Sequence, residues 1–292
     1  MGGRRIAWTA TDTLTRLRAG ADTDAAETTS SGSSTTPTSK METLTFVGDF
    51  TYTSQPLPAS ATKEQIKDFF TSDKTKRLLA SAGGKRPSKD EELTPELRQY
   101  WEDCCEQFYG PESLPEEGDG LLSCENVIHF PGIELVTTVC TATKLIKKRL
   151  SKSENDRGVD DIPQHEFLLI AEKQQAFGPK PIKWIFNQLT GIDKDAKDKF
   201  NPPRARAKSH IRIVETEDSE KGRPSYAISF DVNLQVLVSF PKVLVKIMPA
   251  SKEKMEERGS ASVAKAISKD VVAAIDATRD AFIQELEEAT QP

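Results

Sequence analysis

Five basic residues at every second position are the first group in the sequence whose spacing could serve chemistry. They are Arg204, Arg206, Lys208, His210 and Arg212. Because alternate residues of a β-strand point to the same face, the pattern predicts a strand with one basic face. A row of this kind suits contact with anionic lipid headgroups or with the acids of a partner protein. The alternative is an ordinary outer face whose charges pair with neighbouring Asp and Glu.

A second candidate contact segment lies just before this strand. Apolar residues at positions 182, 185, 186 and 189 have helical spacing, which predicts a short amphipathic helix between two strands. One interpretation is a lid or a membrane-touching segment, and the other is a connector packed on the core. The candidate membrane or partner contacts are Ile182, Trp184, Ile185, Phe186, Arg204, Arg206, Lys208 and Arg212.

The motifs that mark nucleotide, metal and nucleophile sites do not occur in the sequence. Residues 83–86 lack the upstream Gly, and the Ser or Thr after Lys, that a phosphate-binding loop needs. Acids at positions 193, 195 and 198 resemble the start of a calcium loop, but no Gly or distal Glu completes it. The four cysteines have no metal-ligand spacing, and the three histidines are scattered. We therefore predict no catalytic residue, no metal and no cofactor.

Composition limits the classes of protein to which the chain could belong. Its 292 residues are 36% hydrophobic and 29% charged, which fits one sizeable α+β domain. The net charge of −5 argues against a nucleic-acid partner, because a nucleic-acid-binding domain is usually basic. The sequence has no run of about eighteen apolar residues, so it predicts no transmembrane helix.

Residues 1–41 differ from the remainder of the chain and are predicted to be disordered. Fifteen of the first forty residues are Ser or Thr, and arginines at positions 4, 5, 16 and 18 precede most of the acids. This composition is typical of an organelle transit peptide. The alternatives are a disordered tail without a targeting role, or a true start of translation at Met41.

A long strand and a long helix are predicted in the C-terminal part of the sequence. Every second residue from 226 to 240 is apolar, which predicts a strand with one dry face. At about 3.4 Å per residue this strand would reach about 50 Å. Apolar residues then recur every three or four positions through 252–289, which predicts one amphipathic helix of similar length. We expect this helix to lie across a curved sheet.

The first half of the sequence predicts a strand, two short helices and an insertion. A strand over residues 42–53 precedes a helix that Thr62 caps, with Gln65 as its capping-box partner. Asp73 is predicted to cap the second short helix. Glycines and prolines then bound an insertion at residues 83–119, which contains a further helix.

A hairpin is predicted immediately after the insertion. Residues 121–130 and 133–145 alternate in polarity around Pro-Gly. A two-residue turn sets a register in which Cys140 opposes Ser123. Cys124 and Cys140 would then lie on opposite faces of the sheet and could not form a disulfide.

Together these elements predict an α+β fold in which a curved antiparallel sheet grips the long C-terminal helix. The domain spans residues 42–290 and carries the helical insertion, within which we expect a seventh strand. The strand at 205–213 has small residues on part of one face, which leaves room for an apolar cavity between sheet and helix. The residues predicted to line that cavity are Ala205, Ala207, Ser209, Tyr226, Phe230, Leu234, Val238, Val271 and Ile275.

This order of elements resembles that of the START-like, or helix-grip, superfamily. Residues 234–241, with Leu244, Ile247, Pro249 and Gly259 before the long helix, are similar to an uncharacterised START-like family of cyanobacteria and plastids. The Gln-Pro-Leu-Pro run at 55–58 is similar too. The resemblance implies a helix-grip fold and a plastid location, with the cytoplasm as the alternative, and it supplies no catalytic residues.

Three functions follow from this reading of the sequence. The first is a non-enzymatic module that holds or carries an apolar ligand such as a lipid, a quinone or a pigment. The second is an interaction protein that helps to assemble a membrane complex without a bound ligand; the sequence does not identify its partner. The third is a cyclase-like or hydrolytic enzyme, ranked last because the alternating strands place acids and histidines on the outer face. A buried His165 or Glu166 would favour this third function.

Overall fold

A curved antiparallel sheet of seven strands forms the centre of the fold. The computed structural model describes residues 41–84, 87–130, 133–146, 159, 161–180, 199–216, 225–241 and 251–290. The strands are β1 (Met41–Thr53), β2 (Ser88–Glu91), β3 (Gly120–Phe130), β4 (Ile133–Ile146), β5 (Gln164–Phe177), β6 (Ala205–Thr216) and β7 (Ser225–Pro241). They lie in the order β1-β7-β6-β5-β4-β3-β2.

The helices begin with two short ones and end with a long one, which confirms the α+β class. They are α1 (Lys63–Phe70), α2 (Asp73–Ala80), α3 (Pro95–Cys104) and α4 (Lys252–Thr290). A π-helical turn, Cys105–Tyr109, and a 3-10 turn, Pro111–Ser113, continue from α3. The 39 residues of α4 extend about 58 Å, and the 17 residues of β7 extend about 57 Å. The long helix and the long strand therefore match in length.

Helix caps agree with the sequence at α1 and differ by one residue at α2. At α1, Thr62 Oγ1 accepts a hydrogen bond from the Gln65 N–H at 3.2 Å, and the Gln65 side chain accepts from the Thr62 N–H at 2.9 Å. This confirms the capping box. The cap of α2 is Ser72, whose extended backbone lets its hydroxyl accept from the Thr75 N–H. The prediction of Asp73 as the cap was wrong, and Asp73 is the first residue of the helix.

The seventh strand and the hairpin register are also confirmed. The strand expected within the insertion is β2, which pairs with β3. In the hairpin of β3 and β4, Cys140 opposes Ser123 and Val139 opposes Cys124. All four cysteines of the chain are free.

One face of the sheet, the helix face, packs against α1, α2 and α4. Apolar residues of the sheet and of these three helices form one core here. Its buried members include Ile66, Phe69, Phe70, Leu79, Phe167, Ile211, Ile213, Ile228, Phe230, Val271, Ile275 and Phe282. Burial of this apolar surface is the main interaction that holds the long helix on the sheet.

The first half of α4 also covers an edge of the sheet. β1 is an edge strand, so alternate backbone N–H groups point away from β7. Glu256 accepts a hydrogen bond from the Thr45 N–H at 2.9 Å, and Ser260 accepts from the Val47 N–H at 3.0 Å. Side chains of α4 therefore take the place of a further strand.

The other face, the insertion face, lies beneath the described residues of the insertion. A second core joins α3 and the π-helical turn to β3, β4 and β5. Its members are Leu97, Trp101, Cys104, Cys105, Tyr109, Leu121, Cys140, Ala142, Leu168, Ile170 and Ala171. Both faces of β5 are covered, which explains why its sequence is apolar without strict alternation.

Three predictions lie wholly or partly outside the described residues. They are the disorder and targeting role of residues 1–41, apart from Met41 itself, the amphipathic helix at 182–189, and the part of the family resemblance carried by Leu244, Ile247 and Pro249. All described residues belong to one compact unit within residues 39–292.

Candidate functional site

The residues predicted to line a cavity share the helix face, as the alternation of β6 and β7 requires. Phe230, Val271 and Ile275 are buried in the helix-face core, and Tyr226 packs against that core. Ser209 is buried as well. At this end of the helix face, the predicted lining residues pack directly against one another and against their neighbours.

The remaining predicted residues form a different surface, farther along the same face. Ala207 pairs with Leu234, and Ala205 pairs with Val236. With Val238 they make up what we call the open patch. All five residues of the open patch are only partly buried. The structure thus divides the predicted lining into a packed core and an apolar patch that retains exposure.

The helix α4 shows the same division. Its residues Val271, Ile275, Thr278 and Phe282 are buried. Every residue of α4 before Val271 is exposed or partly buried. Burial along α4 therefore decreases towards its first half, as burial along β6 and β7 decreases from the core to the open patch.

The basic residues of β6 lie on the insertion face and make contacts within the chain. The Arg206 guanidinium lies 3.4 Å from the centroid of the Phe108 ring. Arg204 is 3.9 Å from Glu172, and Arg212 forms an ion pair with Asp231. These contacts favour the interpretation of a paired outer face. The apolar contact residues that were predicted with them, Ile182, Trp184, Ile185 and Phe186, lie outside the described residues.

A row of charged side chains crosses the sheet on the insertion face. Lys144 of β4 is in register with Glu166 of β5, Glu166 with His210 of β6, and His210 with Asp231 of β7. Charges of opposite sign thus alternate from strand to strand whenever His210 is protonated. Each member lies beside a group that compensates it, which is the favourable arrangement for cross-strand pairs.

Glu166 is the most deeply placed member of this row. Its side chain is 0% exposed, and its Oε2 atom lies 3.2 Å from Lys208 Nζ and 3.7 Å from His210 Nε2. Neither carboxylate oxygen accepts a hydrogen bond from a group in the described part of the chain, so the pairing with Lys208 is one of charge. Burial lowers the pKa of His210, and the nearby Glu166 carboxylate opposes that shift.

Lys208 connects this row to the insertion. Its Nζ atom donates to the Tyr109 carbonyl oxygen at 3.0 Å and to Ser113 Oγ at 2.9 Å. The indole N–H of buried Trp101 donates to the Ser113 carbonyl oxygen at 2.8 Å. The insertion is therefore held on the sheet by the polar contacts of Lys208 as well as by its apolar core.

The cysteine nearest to this row is a weak nucleophile. Burial raises the pKa of the Cys105 thiol to about 11, and the Glu166 carboxylate adds to the shift. Burial likewise raises the pKa of Cys104 to about 11. Because the thiolate is the reactive form, neither residue is prepared for catalysis at neutral pH.

The expectation that histidines lie on the outer face was wrong for His165. This residue belongs to the helix face, is 3% exposed, and packs against the rings of Phe70 and Phe167. Its Nε2 atom is 2.6 Å from the Phe70 carbonyl oxygen. Burial lowers the pKa of His165 to about 4, so the neutral ring donates this hydrogen bond. His165 is buried rather than exposed because both faces of β5 are covered.

His165 and Glu166 are both buried, which is the observation that would favour an enzyme. Their contacts, however, are with groups that stabilise the fold. His165 is held by a backbone carbonyl within the core, and Glu166 lies against Lys208, which is itself engaged by the insertion. The alternation of residues did carry a signal for Glu166: it shares a face with Leu168 and Ile170, so its charge stands in an apolar row. Tyr109 gave no such signal, and Lys208 was predicted only as a member of the basic row at 204–212.

The described residues offer neither a cluster of metal ligands nor a membrane-spanning helix. They contain no group of three or more His, Cys, Asp or Glu side chains placed to hold a metal ion. Within the same residues, no helix combines the length and apolar character needed to cross a bilayer.

No protein-family model matches the chain, and no curated protein sequence is significantly similar to it.

Proposed function

We propose that the protein is a non-enzymatic binding module that holds an apolar ligand on the helix face of the sheet. The open patch is the observation that carries this proposal. Its residues Ala205, Ala207, Leu234, Val236 and Val238 are apolar, contiguous in register and only partly buried. Partly exposed apolar surface of this kind is typical of ligand-binding grooves.

The size of the side chains supports a ligand at this position. Two alanines from β6 face the larger aliphatic residues of β7, so the surface is recessed on the β6 side. At the core end, the same two strands present Ile211, Ile213, Ile228 and Phe230, which are buried. The sheet is thus filled at one end and lined by small residues at the other.

We further propose a START-like identity and a plastid location. The curved sheet with a long C-terminal helix is compatible with a helix-grip fold. The Ser- and Thr-rich, arginine-bearing first forty residues support targeting to an organelle. The ligand class would then be a lipid, an isoprenoid quinone or a pigment.

Native mass spectrometry of the full chain tests the proposal. The protein is exposed to a lipid and pigment extract from a photosynthetic cell and repurified. We expect a discrete added mass that organic solvent removes. In the Leu234→Gln variant we expect about tenfold weaker retention, because one buried apolar contact is replaced by a polar group.

Leu237→Gln is the matched control. Leu237 is also partly buried on β7, but it belongs to the insertion face. This variant should retain the ligand as the wild type does. Equal losses in the two variants, or an unchanged mass of the wild-type protein at every extract concentration, would exclude ligand binding at the open patch.

A further inference from the structure

The first half of α4 lies over β1, at the edge of the sheet. Glu256 and Ser260 accept hydrogen bonds from the Thr45 and Val47 N–H groups at 2.9 Å and 3.0 Å. The helix packs much more extensively against β1 than against β7. The open patch, which belongs to β6 and β7, therefore lies beside the first half of α4 and remains only partly buried.

Two glycines allow the helix to come this close to the strand. An added Cβ at Gly48 would lie 2.9 Å from Ile267 Cδ1 and 3.0 Å from Val263 Cγ1, and one at Gly259 would overlap the Phe46 ring. Carbon atoms in contact are normally about 3.5–4.0 Å apart. A side chain at Gly48 would therefore displace α4 from β1.

The side chains of Val263 and Ile267 stand next to the open patch, and we call them the α4 wall. They lie against Gly48, which is in register with Leu234, and Leu234 is in register with Ala207. Opposed residues of neighbouring strands are only about 5 Å apart. The α4 wall and the open patch thus form the side and the floor of a shallow apolar groove.

The side and the floor of this groove extend in the same direction. Thr45 and Val47 contact Glu256 and Ser260 in turn, so a step of about 7 Å along β1 is matched by a step of about 6 Å along α4. The helix therefore runs nearly parallel to β1. Because β7 pairs with β1, the helix also follows β7 beside Leu234–Val238, a stretch of about 14 Å.

We propose that the ligand of the open patch is an extended hydrocarbon chain that lies along β7 and contacts the α4 wall, with Gly48 and Gly259 as the positioning residues of that wall. An extended chain contacts the side and the floor of a straight groove over its whole length. A compact fused-ring molecule of similar apolar size touches them over a shorter stretch. The inference names the ligand class of the proposed function and rests on that function.

Competition with the apolar dye N-phenylnaphthylamine tests the ligand class in the full chain. Hexadecanoic acid represents an extended chain, and 1-pyrenebutyric acid carries the same carboxyl group on a fused-ring system. We expect the wild-type protein to bind hexadecanoic acid at least about tenfold more tightly, because more apolar contact is made. Equal affinities would overturn the extended chain and leave ligand binding intact.

Gly48→Val and Gly120→Val test the positioning of the α4 wall. Both glycines lie in strands without a positive φ, but an added Cβ at Gly120 would lie near Thr143 and not near α4. We expect Gly48→Val to weaken the binding of hexadecanoic acid by about tenfold, because the displaced wall loses contact with the chain. The affinity for pyrenebutyric acid should change by less than about threefold. Gly120→Val should leave both affinities at wild-type values.

The double variant Glu256→Met/Ser260→Ala releases α4 from β1 without adding volume at Gly48. Hydrogen exchange at the Thr45 and Val47 amides should rise by about fivefold or more, since each amide loses a hydrogen bond. The binding of hexadecanoic acid should again weaken more than that of pyrenebutyric acid. This variant decides the question if Gly48→Val does not fold.

The failures of the two proposals differ. Faster exchange at Thr45 and Val47 with unchanged affinity for hexadecanoic acid would overturn the α4 wall and leave ligand binding intact. Unchanged exchange in the double variant would show that these hydrogen bonds do not position the helix, which also overturns the wall. If the wild-type protein binds neither the dye nor the two acids at any concentration, the ligand-binding function and the wall are both overturned.

Discussion

The two faces of the sheet are covered by different means. The helix face is closed by an apolar core, and the histidine buried in it, His165, is neutral. The insertion face combines an apolar core with buried charges, of which Glu166 and Lys144 are each less than 5% exposed. Lys144 lies 3.1 Å from Asp119, and Glu166 lies 3.2 Å from Lys208.

Different interactions therefore fix the position of α4 on one face and of the insertion on the other. Apolar contacts are non-directional, so on the helix face the position of α4 is set by packing and by its hydrogen bonds to the Thr45 and Val47 N–H groups. Buried ion pairs and hydrogen bonds fix one geometry, because an unpaired buried charge is costly. The insertion is therefore expected to hold one position or to release as a unit.

Breaking the pair at Lys208 should have the largest effect on stability. Lys208→Met leaves Glu166 buried without its cation, and we expect a loss of about 3–5 kcal/mol in the free energy of unfolding. Urea denaturation followed by circular dichroism measures this change. The double variant Lys208→Met/Glu166→Leu should recover most of the loss, because the buried carboxylate that Lys208 compensates is then absent as well.

Arg98→Met supplies the matched control for this change. Arg98 pairs with Glu102 at 3.9 Å, and both side chains are about half exposed. The variant should cost less than about 1 kcal/mol. Similar costs for the two single variants would show that the insertion face does not depend on buried charge.

Protonation of His165 should have the next largest effect, on the helix face. Its pKa is lowered from 6.5 to about 4 in the folded protein, so the unfolded chain binds more protons as the pH falls. Stability is therefore lost as the pH falls from about 6.5 to about 4, by about 3 kcal/mol in total. Urea denaturation across this range should show a loss that His165→Gln largely removes.

His210→Gln tests whether this loss belongs to the helix face. Burial also lowers the pKa of His210, but the Glu166 carboxylate opposes the shift. The pH dependence of this variant should therefore stay close to that of the wild type. If the free energy of unfolding did not change with pH in His210→Gln but still fell in His165→Gln, the loss would belong to His210 instead.

The comparison also explains what the sequence could predict. The helix face was predictable because alternation along β7 and periodicity along α4 report apolar burial directly. Gly259, one of the residues that carry the family resemblance, is glycine for a physical reason: a Cβ at this position would overlap the ring of Phe46. The insertion face was less predictable: a charged residue such as Glu166 is normally exposed, and only tertiary contacts with Lys208 show otherwise.

The candidate site, too, was predictable only in its apolar pattern and not in its tertiary contacts. The nine predicted lining residues all lie on the helix face or on α4, but the sequence could not separate the core from the open patch. That separation depends on where α4 lies relative to the sheet. The position of Tyr109 could not be predicted at all. Its hydroxyl donates to the Leu169 carbonyl oxygen of β5 and accepts from the Ala207 N–H of β6, so it replaces backbone pairing between two strands, and pairing is a property of the fold.

A smaller loss is expected from the insertion's buried indole. Trp101→Phe removes the hydrogen bond to the Ser113 carbonyl oxygen at a position that is 0% exposed. We expect a cost of about 1–3 kcal/mol, because a buried acceptor is left unsatisfied. Hydrogen exchange should increase over residues 105–113 while β6 and β7 keep their protection. Uniform loss of protection would indicate that the insertion and the sheet unfold as one unit.

The smallest effect is expected where the same kind of ion pair lies at the surface. Lys74 of α2 pairs with Glu285 of α4 at 3.0 Å, with side chains 54% and 50% exposed. Because water screens both groups, Lys74→Ala should cost less than about 1 kcal/mol, and the difference should shrink further in about 1 M salt. The loss in Lys208→Met should persist in the same salt, since the Glu166 carboxylate is inaccessible to ions. If salt reduced both losses equally, Glu166 would have to be hydrated in solution, and the contrast between the two faces would be one of packing rather than of charge.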